Sequence, residues 1–392
     1  MMATAPINIL MVTGIFPPDI GGPATYVPTM ASELVRRGHK VIVLTLSDRL
    51  DHDDRSYTFP VHRIRRSLAK PLRFLLTVVR IFREGRSAAV LYVNGLYLEA
   101  VIANCLLCKP MVQKIVGDWA WERATNKGWV RDTFEEFQKR KYDLRVDLLK
   151  ALRNFCVGRA DAVIVPSKFL VRAVATWGVS ETKMIVIYNA VELYAPIAAA
   201  IPLATRFKVV TVGRLVPWKQ IDQLIEAIHG SPDVGLVIIG DGPERSQLEN
   251  LARQNQLGSR IYFAGQTSKQ ETLALMGACD LFVLNSSYEG FPHVILEAMS
   301  AGLPVVATAV GGTPELVEHG VSGILISSNG QVALTRALMH LLSCDEERRR
   351  LAAGAQSLLR RFQSAEMIRR TESILVACSS VGRMQAQIEP TA

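Results

Sequence analysis

The sequence predicts an α/β protein of two domains, each a parallel β-sheet with helices on both faces. Short apolar runs alternate with helical stretches from end to end, which is the pattern of repeated βα units. The series of runs stops near the middle and then restarts. The 392 residues also exceed what one hydrophobic core usually organises, so two domains of roughly 200 residues are expected.

The predicted strands form one series in each half of the chain. The first series lies at residues 7–13, 41–46, 90–94, 112–116 and 162–166. The second series lies at residues 208–213, 235–240, 260–264, 281–285, 304–308 and 323–326. Each half therefore holds enough βα units for a sheet of its own.

The interval between the two series predicts a linker. Residues 194–203 are mostly small, are framed by prolines, and show neither a helical nor a strand period, as is typical of interdomain linkers. The predicted domains are therefore residues 1–200 and 201–378. Residues 379–392 have little periodicity and are expected to form a flexible tail.

The composition is that of a folded globular protein, with 49% hydrophobic and 21% charged residues. No charged leader opens the chain and no run of about 18 apolar residues could span a bilayer, so a cytoplasmic protein is expected. Among the cysteines only Cys105 and Cys108 lie close together. Without a second Cys or His cluster nearby, they are expected to be buried thiols rather than metal ligands.

The formal charge of +9 indicates attraction to an anionic partner. Nucleic acid, a phosphate-bearing substrate and an acidic membrane face all fit the charge alone, although no recognised nucleic-acid module is present. Much of the excess lies at Arg63, Arg65, Arg66, Lys70, Arg73, Arg80, Arg83, Arg86, Lys139, Arg140 and Lys141. Residues 67–86 combine these cations with bulky apolar residues. They predict either a sheet-covering helix with a basic exposed side or a helix lying on an anionic leaflet.

A glycine pair follows the first predicted strand. Gly21 and Gly22 stand just before a helix, where the bare backbone can approach an anion that the helix N-terminus then stabilises. A diphosphate would suit this position, and a tight turn without a ligand explains the same glycines. The spacing is not Gly-x-Gly-x-x-Gly, which argues against a nicotinamide dinucleotide.

Two cations follow the first strand of the second half. Arg214 comes directly after this strand and Lys219 a few residues later. Ligands of open α/β folds bind at the carboxyl ends of parallel strands, where a guanidinium and an ammonium can bracket a diphosphate. The alternative is a pair of solvated loop cations.

Two carboxylates flank a predicted helix start at Pro292. Glu289 stands just before this helix and Glu297 within it, and the first N–H groups of the helix would favour negative charge. Carboxylates accept hydrogen bonds from paired hydroxyl groups, so Glu289 suits a sugar and Glu297 a ribose. The alternatives are a helix-start anion and a surface carboxylate.

Together these motifs resemble family 4 of the retaining glycosyltransferases, which have the GT-B fold. The matching residues are Gly21-Gly22, Gly213-Arg214 with Lys219, the run 240–243, and Glu289-Gly-Phe-Pro leading to Glu297 and the run 302–307. The resemblance covers essentially the whole chain and is strongest in residues 205–330. It implies two Rossmann-like domains whose sheets face a central cleft, the first for the acceptor and the second for the nucleotide-sugar donor, with the last helix crossing back to the first.

The same resemblance implies roles for individual residues. The implied donor-binding set is Gly21, Gly22, Arg214, Lys219, Gly290, Phe291, Pro292 and Glu297. Within this set, Gly22 and the two cations would hold the diphosphate and Glu297 the ribose, whereas Glu289, as a catalytic residue, would touch hydroxyls of the transferred sugar.

The implied reaction moves a hexose or N-acetylhexosamine, with retention, from a nucleotide-diphosphate donor to a glycan or lipid-linked acceptor. Surface polysaccharide or lipopolysaccharide biosynthesis is the implied setting, and attachment to the inner membrane face through residues 67–86 follows from relatives with lipid-linked acceptors. Family members typically need no divalent ion, and no Asp-x-Asp stands at a strand end here. No metal or cofactor is expected, and no nucleic acid partner.

One position departs from the family pattern. Many relatives carry a His beside the reacting centre at the end of a first-domain strand, whereas residues 117–122 contain none. Asp118 is the candidate for that catalytic position, and it would hold a donor hydroxyl or orient the acceptor. Its alternative role is the N-cap of the next helix. Trp119 and Trp121 offer either a stacking surface for an acceptor sugar or buried aromatic rings.

Two other functions fit a similar architecture. A nucleotide-sugar epimerase of the non-hydrolysing type also uses two Rossmann-like domains, but it would lack the pattern of Glu289 and Glu297. A non-catalytic carbohydrate-binding scaffold would not need Arg214 and Lys219 together with both carboxylates. The motifs therefore favour the transferase over both alternatives.

Overall fold

A computed structural model describes residues 5–19, 21–190, 199–328 and 330–380. The chain folds into two Rossmann-like α/β domains, each built on a parallel sheet, which confirms the predicted fold class. The first sheet has seven strands and the second has six. Residues 194–198 of the predicted linker and residues 381–392 of the predicted tail lie outside the described residues. The other half of the linker, residues 199–203, is described, and Ala199, Ile201 and Leu203 pack in the core of the second domain.

The first sheet has the strand order β3-β2-β1-β4-β5-β6-β7. Its strands are β1 (Asn8–Thr13), β2 (Lys40–Ser47), β3 (Val61–Arg65), β4 (Val90–Asn94), β5 (Met111–Lys114), β6 (Ala162–Val165) and β7 (Met184–Val186). The helices between them are α1 (Gly22–Arg36), α2 (Lys70–Gly85), α3 (Tyr97–Leu107), α4 (Trp119–Asn126), α5 (Phe134–Lys139), α6 (Leu144–Gly158) and α7 (Lys168–Ala175).

The second sheet has the order β10-β9-β8-β11-β12-β13. Its strands are β8 (Phe207–Val212), β9 (Val234–Ile239), β10 (Ile261–Gly265), β11 (Leu281–Leu284), β12 (Val305–Thr308) and β13 (Ile324–Ile326). The helices of this half are α8 (Ile221–His229), α9 (Arg245–Gln254), α10 (Lys269–Gly277), α11 (His293–Ser300), α12 (Gln331–Ser343), α13 (Asp345–Leu359) and α14 (Ser364–Ser380).

The sequence prediction is confirmed for every strand except β3 and β7. Central strands such as β4 and β9 are buried along their whole length, because helices cover both faces of a parallel sheet, and they are therefore continuous apolar runs. The missed strands lie at the two edges of the first sheet. β3 has no fully buried residue, and β7 is only three residues long, so neither produces a clear apolar signal.

The last helix, α14, packs on the first sheet although it follows the second domain in sequence. Met367, Ile368 and Leu375 are buried in the same hydrophobic core as residues of β1 and β4. Its Glu372 accepts hydrogen bonds from Arg37 at 2.7 Å and from His39 Nε2 at 2.9 Å. Apolar burial and a part-buried ion pair thus hold the end of the chain on the first domain.

Cys105 and Cys108 are exposed, so the expectation that they are buried thiols is wrong. Cys105 lies in the last turn of α3, and Cys108 is its C-cap.

Within the described part of the chain, no helix is both long enough and apolar enough to cross a bilayer.

Candidate active site

The carboxyl ends of the two sheets meet at a cavity of about 240 Å³. The first domain lines it with Gly22, Pro23, Tyr26, Asn94, Lys114, Val116, Glu122 and Asn189. The second domain lines it with Trp218, Tyr288, Glu289, Gly290, Phe291 and His293. All the paired strands are parallel, so loops that follow different strands converge here, where ligands of open α/β folds bind.

The glycine pair places the N-terminus of α1 at this cavity. Gly21 is the N-cap with φ near +150°, a conformation that L side chains rarely adopt, and Gly22 is the first helical residue. No side-chain cap is found for this end of α1 among the described residues. Pro23 has no N–H group, so an anion at this end would bind the N–H groups of Gly22 and Ala24.

Lys219 ends the short helical turn Pro217–Lys219 and does not itself line the cavity. Its ammonium contacts the carboxylate of Glu289. A Cβ on Gly213 would lie 3.4 Å from Lys219 Cε, so the glycine leaves room for this side chain to pass. Arg214 is exposed and does not line the cavity, but its positive charge acts on the carboxyl group of Glu122.

Glu289 is almost fully buried and held by several contacts. Its Oε1 accepts a hydrogen bond from Ser286 Oγ at 2.6 Å as well as contacting Lys219. Its carbonyl oxygen accepts from Gly312 N at 3.0 Å. A Cβ on Gly311 would stand 1.7 Å from that same oxygen, at a φ of +57°. Glycine is therefore the residue that permits the loop to approach so closely.

The loop of Glu289 is also tied to the first domain. Ser167 Oγ donates to the carbonyl of Gly290 at 2.8 Å. A Cβ on Gly290 would lie 2.4 Å from Val116 O, so the two domains touch through backbone here. The backbone N–H groups of Lys168 and Phe169, at the start of α7, both donate at 2.9 Å to Glu315 of the second domain.

Phe291 and Pro292 lead into α11. Phe291 is buried and its ring stacks on Tyr188 at 5.5 Å between centroids. Pro292 is the N-cap, so the predicted helix start is confirmed, and among the residues that the structure describes no side chain caps the first N–H groups. His293 is the first residue of the helix, and burial, together with the charges of Lys114 and Lys269, lowers its pKa to about 3. His293 is therefore neutral near pH 7.

Glu297 does not join Glu289 at the cavity wall. It lies further along α11 and is half-buried, and it does not line the cavity. Burial raises the pKa of its carboxyl group, and the positive charge of Lys269 on α10 opposes this rise. The structure therefore brings only Glu289 of the two predicted carboxylates to the cavity.

Asp118 has the second of its two predicted roles, that of a helix N-cap. It is the N-cap of α4 and accepts from Ala120 N at 3.0 Å and Trp121 N at 3.3 Å. Its other oxygen contacts Arg153, which is itself buried, and accepts from Gln138 Nε2 at 2.9 Å. Asp118 is fully buried and does not line the cavity. The geometry makes it a positioning residue for α4 rather than a group that touches substrate.

Through α4, Asp118 places Glu122 at the cavity. Burial, followed by the negative charge of Asp118, raises the pKa of Glu122 to about 7, and the charges of Arg214 and Lys219 act in the opposite direction. Glu122 is therefore partly protonated near pH 7 and can both donate and accept a hydrogen bond. The sequence analysis missed it, because no motif marks a glutamate inside a short helix.

Trp121 belongs to an aromatic cluster that joins the domains. Its ring lies 5.2 Å from Trp218 and 4.8 Å from Tyr288, both in the second domain. Trp121 is buried, so of its two predicted roles it has that of a buried aromatic ring. The hydroxyl of Tyr288 is buried without a hydrogen-bond partner among the described residues, and this residue lines the cavity.

Lys114 and His293 were also missed by the sequence analysis. Lys114 is the last residue of β5 and is 1% exposed. A lysine that ends an apolar run was visible in the sequence, but its burial was not. His293 directly follows the Glu289-Gly-Phe-Pro run, and its position beside that run was the available signal.

The two Rossmann-like domains with a cleft between them form a GT-B fold, and comparison with known proteins identifies the family. The family model described as Glycosyltransferase Family 4 matches residues 20–194. The model described as Glycosyl transferases group 1 matches residues 198–358. The chain belongs to glycosyltransferase family 4, which confirms the resemblance derived from its motifs.

Individual relatives differ in how much of the chain they match. The uncharacterized glycosyltransferase MJ1607 of Methanocaldococcus jannaschii is 29% identical over 351 residues, covering 82% of this chain and 85% of that protein. The lipopolysaccharide core biosynthesis glycosyltransferase LpsE of Rhizobium meliloti is 34% identical over 155 residues, which cover 39% of this chain and 45% of LpsE. The match to LpsE thus spans less than half of either protein.

Solved structures share the whole fold. The crystal structure of Anabaena Alr3699/HepE in complex with UDP and glucose superposes with a TM-score of 0.77. It is 23% identical in sequence and covers 94% of this chain and 99% of that chain. At this identity the likeness concerns the fold alone.

Proposed function

We propose that this protein is a retaining glycosyltransferase that needs no divalent cation and uses a nucleotide-diphosphate sugar as donor. The contact between Lys219 and Glu289 carries the proposal, because it lies beside the N-terminus of α11 and faces that of α1 across one cavity. A cation, a carboxylate and two helix N-termini suit a ligand with a charged diphosphate and a hydroxylated sugar.

The donor and acceptor classes are proposed from two kinds of support. Alr3699/HepE, which shares the fold, was crystallised with UDP and glucose, and LpsE acts in lipopolysaccharide core biosynthesis. We propose transfer of a hexose or N-acetylhexosamine to a glycan or lipid-linked acceptor of a surface polysaccharide or lipopolysaccharide.

In the proposed reaction, the bond between sugar C1 and the diphosphate oxygen breaks while the acceptor oxygen bonds to C1 on the same face. The departing phosphate takes the acceptor proton, so the protein supplies positioning and charge stabilisation. Arg214 and Lys219 would offset the charge that grows on the leaving diphosphate. Glu289, held by Ser286 and Lys219, would accept hydrogen bonds from the transferred sugar, and Glu297 from the ribose.

We propose metal independence on the basis of the same distribution of charge. The side chains of Arg214 and Lys219, with the first N–H groups of α1 and α11, would stabilise the leaving group as a divalent ion does in other transferases. Addition of EDTA is therefore expected to leave the activity unchanged.

A thermal-shift screen tests the donor site. The full chain would be heated with UDP-, GDP- and ADP-sugars in EDTA, together with the variants Lys219→Ala and Glu297→Ala. A ligand present at about 100 times its Kd stabilises the folded state by about 2.7 kcal/mol, so one nucleotide class should raise the Tm of the wild type. Both variants should lose this rise.

Exposed residues of the same types provide matched controls. Lys40→Ala and Glu346→Ala change exposed side chains outside the cavity and should keep the full rise in Tm. If no nucleotide sugar stabilises the wild type, the transferase proposal is wrong and the scaffold function takes its place. Stabilisation without transfer, accompanied by epimerised nucleotide sugar, would instead identify an epimerase.

We also propose that α2 attaches the protein to an anionic leaflet at the inner membrane face. α2 covers part of the first sheet, yet Leu72, Leu75, Leu76 and Val79 expose between 37% and 58% of their surface. Exposed cations lie on the same helix and just after it, at Lys70, Arg83 and Arg86. A helix that presents leucines beside cations binds anionic bilayers through both apolar burial and charge.

Vesicle sedimentation tests this attachment. The full chain should sediment with vesicles of phosphatidylglycerol and phosphatidylcholine, and less with phosphatidylcholine alone or at high salt. The double variant Leu75→Gln/Val79→Gln should remain in solution. Val332→Gln, which changes an apolar residue on α12 that is 71% exposed, should sediment like the wild type. Equal sedimentation of both variants would reject α2 as the attachment site.

A further inference from the structure

Lys114 is a buried cation whose partners are neutral. Its Nζ donates to Asn189 Oδ1 at 2.7 Å and lies 3.8 Å from the centre of the Tyr26 ring. No carboxylate of the described residues forms an ion pair with it, and burial lowers the pKa of its ammonium group to about 7. Burying an ammonium without a counter-charge costs stability.

Space filling does not account for this lysine. A methionine at the end of β5 would pack among the same neighbours without the cost of desolvating a charge. Lys114 lines the cavity between the domains, and an ammonium has three N–H donors, of which Asn189 takes one. Donors therefore remain for a ligand in the cavity.

The surroundings of Lys114 favour negative charge. The N-terminus of α1 opens on the same cavity through Gly22, and Lys114 acts on His293 from across it, helping to lower the pKa of that imidazole. Glu122 also lines the cavity, but burial raises the pKa of its carboxyl group to about 7, so it is only partly charged. Glu289 already contacts Lys219.

We propose that Lys114 binds an oxyanion carried by a substrate sugar, either a carboxylate or a phosphate. The inference rests on the proposed function and deepens it, because it names a charge on the substrate that the reaction itself does not require. This oxyanion is distinct from the donor diphosphate, which Arg214, Lys219 and the N-terminus of α1 would hold. Asn94 and Asn189, which line the cavity beside Lys114, supply amide groups for the neighbouring hydroxyls or for the oxyanion.

Three sugars that differ in charge test the inference. Glucose, glucuronate and glucose 6-phosphate would be titrated into the full chain, and their binding followed by ligand-observed NMR. A charge-assisted hydrogen bond in a buried site should make one of the two acids bind about tenfold or more tightly than glucose. A preference for glucuronate identifies an acidic sugar, and a preference for glucose 6-phosphate identifies a phosphorylated one.

The variant Lys114→Met should remove the preference for the acid and leave the affinity for glucose within about twofold. Lys40→Met, which changes an exposed lysine, should keep the preference. Equal affinity of the wild type for all three sugars, or an undiminished preference in Lys114→Met, would overturn the inference.

A parallel titration separates this inference from the proposed function. UDP, GDP and ADP would be titrated into the wild type and into Lys114→Met. Unchanged affinity for the preferred nucleotide in Lys114→Met supports a separate oxyanion site, whereas an equal loss of affinity for nucleotide and acid would assign Lys114 to the diphosphate and overturn the inference. If no nucleotide binds the wild type, the donor proposal fails, while the comparison of the three sugars still reports on Lys114.

Discussion

The lysines on the two sides of the cavity differ in their partners: one contacts a carboxylate and the other, among the described residues, only neutral groups. On the second-domain wall, Lys219 contacts Glu289, and Ser286 completes the group. On the first-domain wall, Lys114 is buried against Asn189 and the ring of Tyr26. A paired cation is preorganised at little cost, whereas a buried ammonium among neutral groups lowers stability until an anion binds. The difference indicates that a ligand supplies the negative charge that pairs with Lys114 on the first-domain wall.

The largest expected effect belongs to the buried pair of Asp118 and Arg153, which supports the first-domain wall. Asp118→Ala removes the cap of α4 and leaves the guanidinium of Arg153 buried without its carboxylate partner. The free energy of unfolding should fall by about 3–5 kcal/mol, measured by urea denaturation. Glu346→Ala, at an exposed position, should change it by less than about 0.5 kcal/mol.

Asp118→Asn distinguishes positioning from catalysis. Asparagine keeps an oxygen for the N-cap but loses the charge that faces Arg153, so stability and activity should both fall. If Asp118→Asn is as stable as the wild type but inactive, Asp118 is a catalytic residue, and the structural role inferred for it is wrong.

The next effect is on transfer itself and concerns the second-domain wall. Lys219→Ala removes the cation beside Glu289, and kcat/KM for the donor found in the thermal-shift screen should fall about 10²–10³-fold. Lys219→Arg should retain more activity, because it keeps the charge. Lys40→Ala serves as the control and should match the wild type. A Lys219→Ala variant with unchanged kcat/KM would remove this wall from the mechanism.

The second-domain wall was the more predictable from the sequence, for a physical reason. Gly213, Arg214 and Lys219 lie in one short run, and Glu289 to Pro292 lie in another. Within such runs the chain geometry is local, so spacing shows which groups share a strand end or a helix start. The apolar runs of central strands were equally clear, which is why most strands and the fold class were predicted.

The first-domain wall was less predictable because it assembles residues that are far apart in the chain. Asn94 and Lys114 are the last residues of β4 and β5, whereas Tyr26 lies in α1 and Asn189 follows β7. No spacing rule connects them, and the burial that shifts the pKa of Lys114 exists only in the folded chain. The sequence left two possible roles for Asp118. Its structural role depends on the contact with Arg153, which lies on a different helix, α6.

The smallest expected effect tests the neutral surroundings of Lys114 without any ligand. Lys114→Met should raise the Tm of the free protein by about 2–4 °C at pH 7, because it removes a buried ammonium. The wild type should gain stability between about pH 7 and pH 10, where the unfolded lysine still binds a proton that the native one has lost. The variant should lack this part of the pH dependence. Scanning calorimetry across this pH range measures the Tm of both proteins, with Lys40→Met as the control. A lower Tm for Lys114→Met would show that Lys114 stabilises the free protein, and the contrast drawn here between the two walls would be wrong.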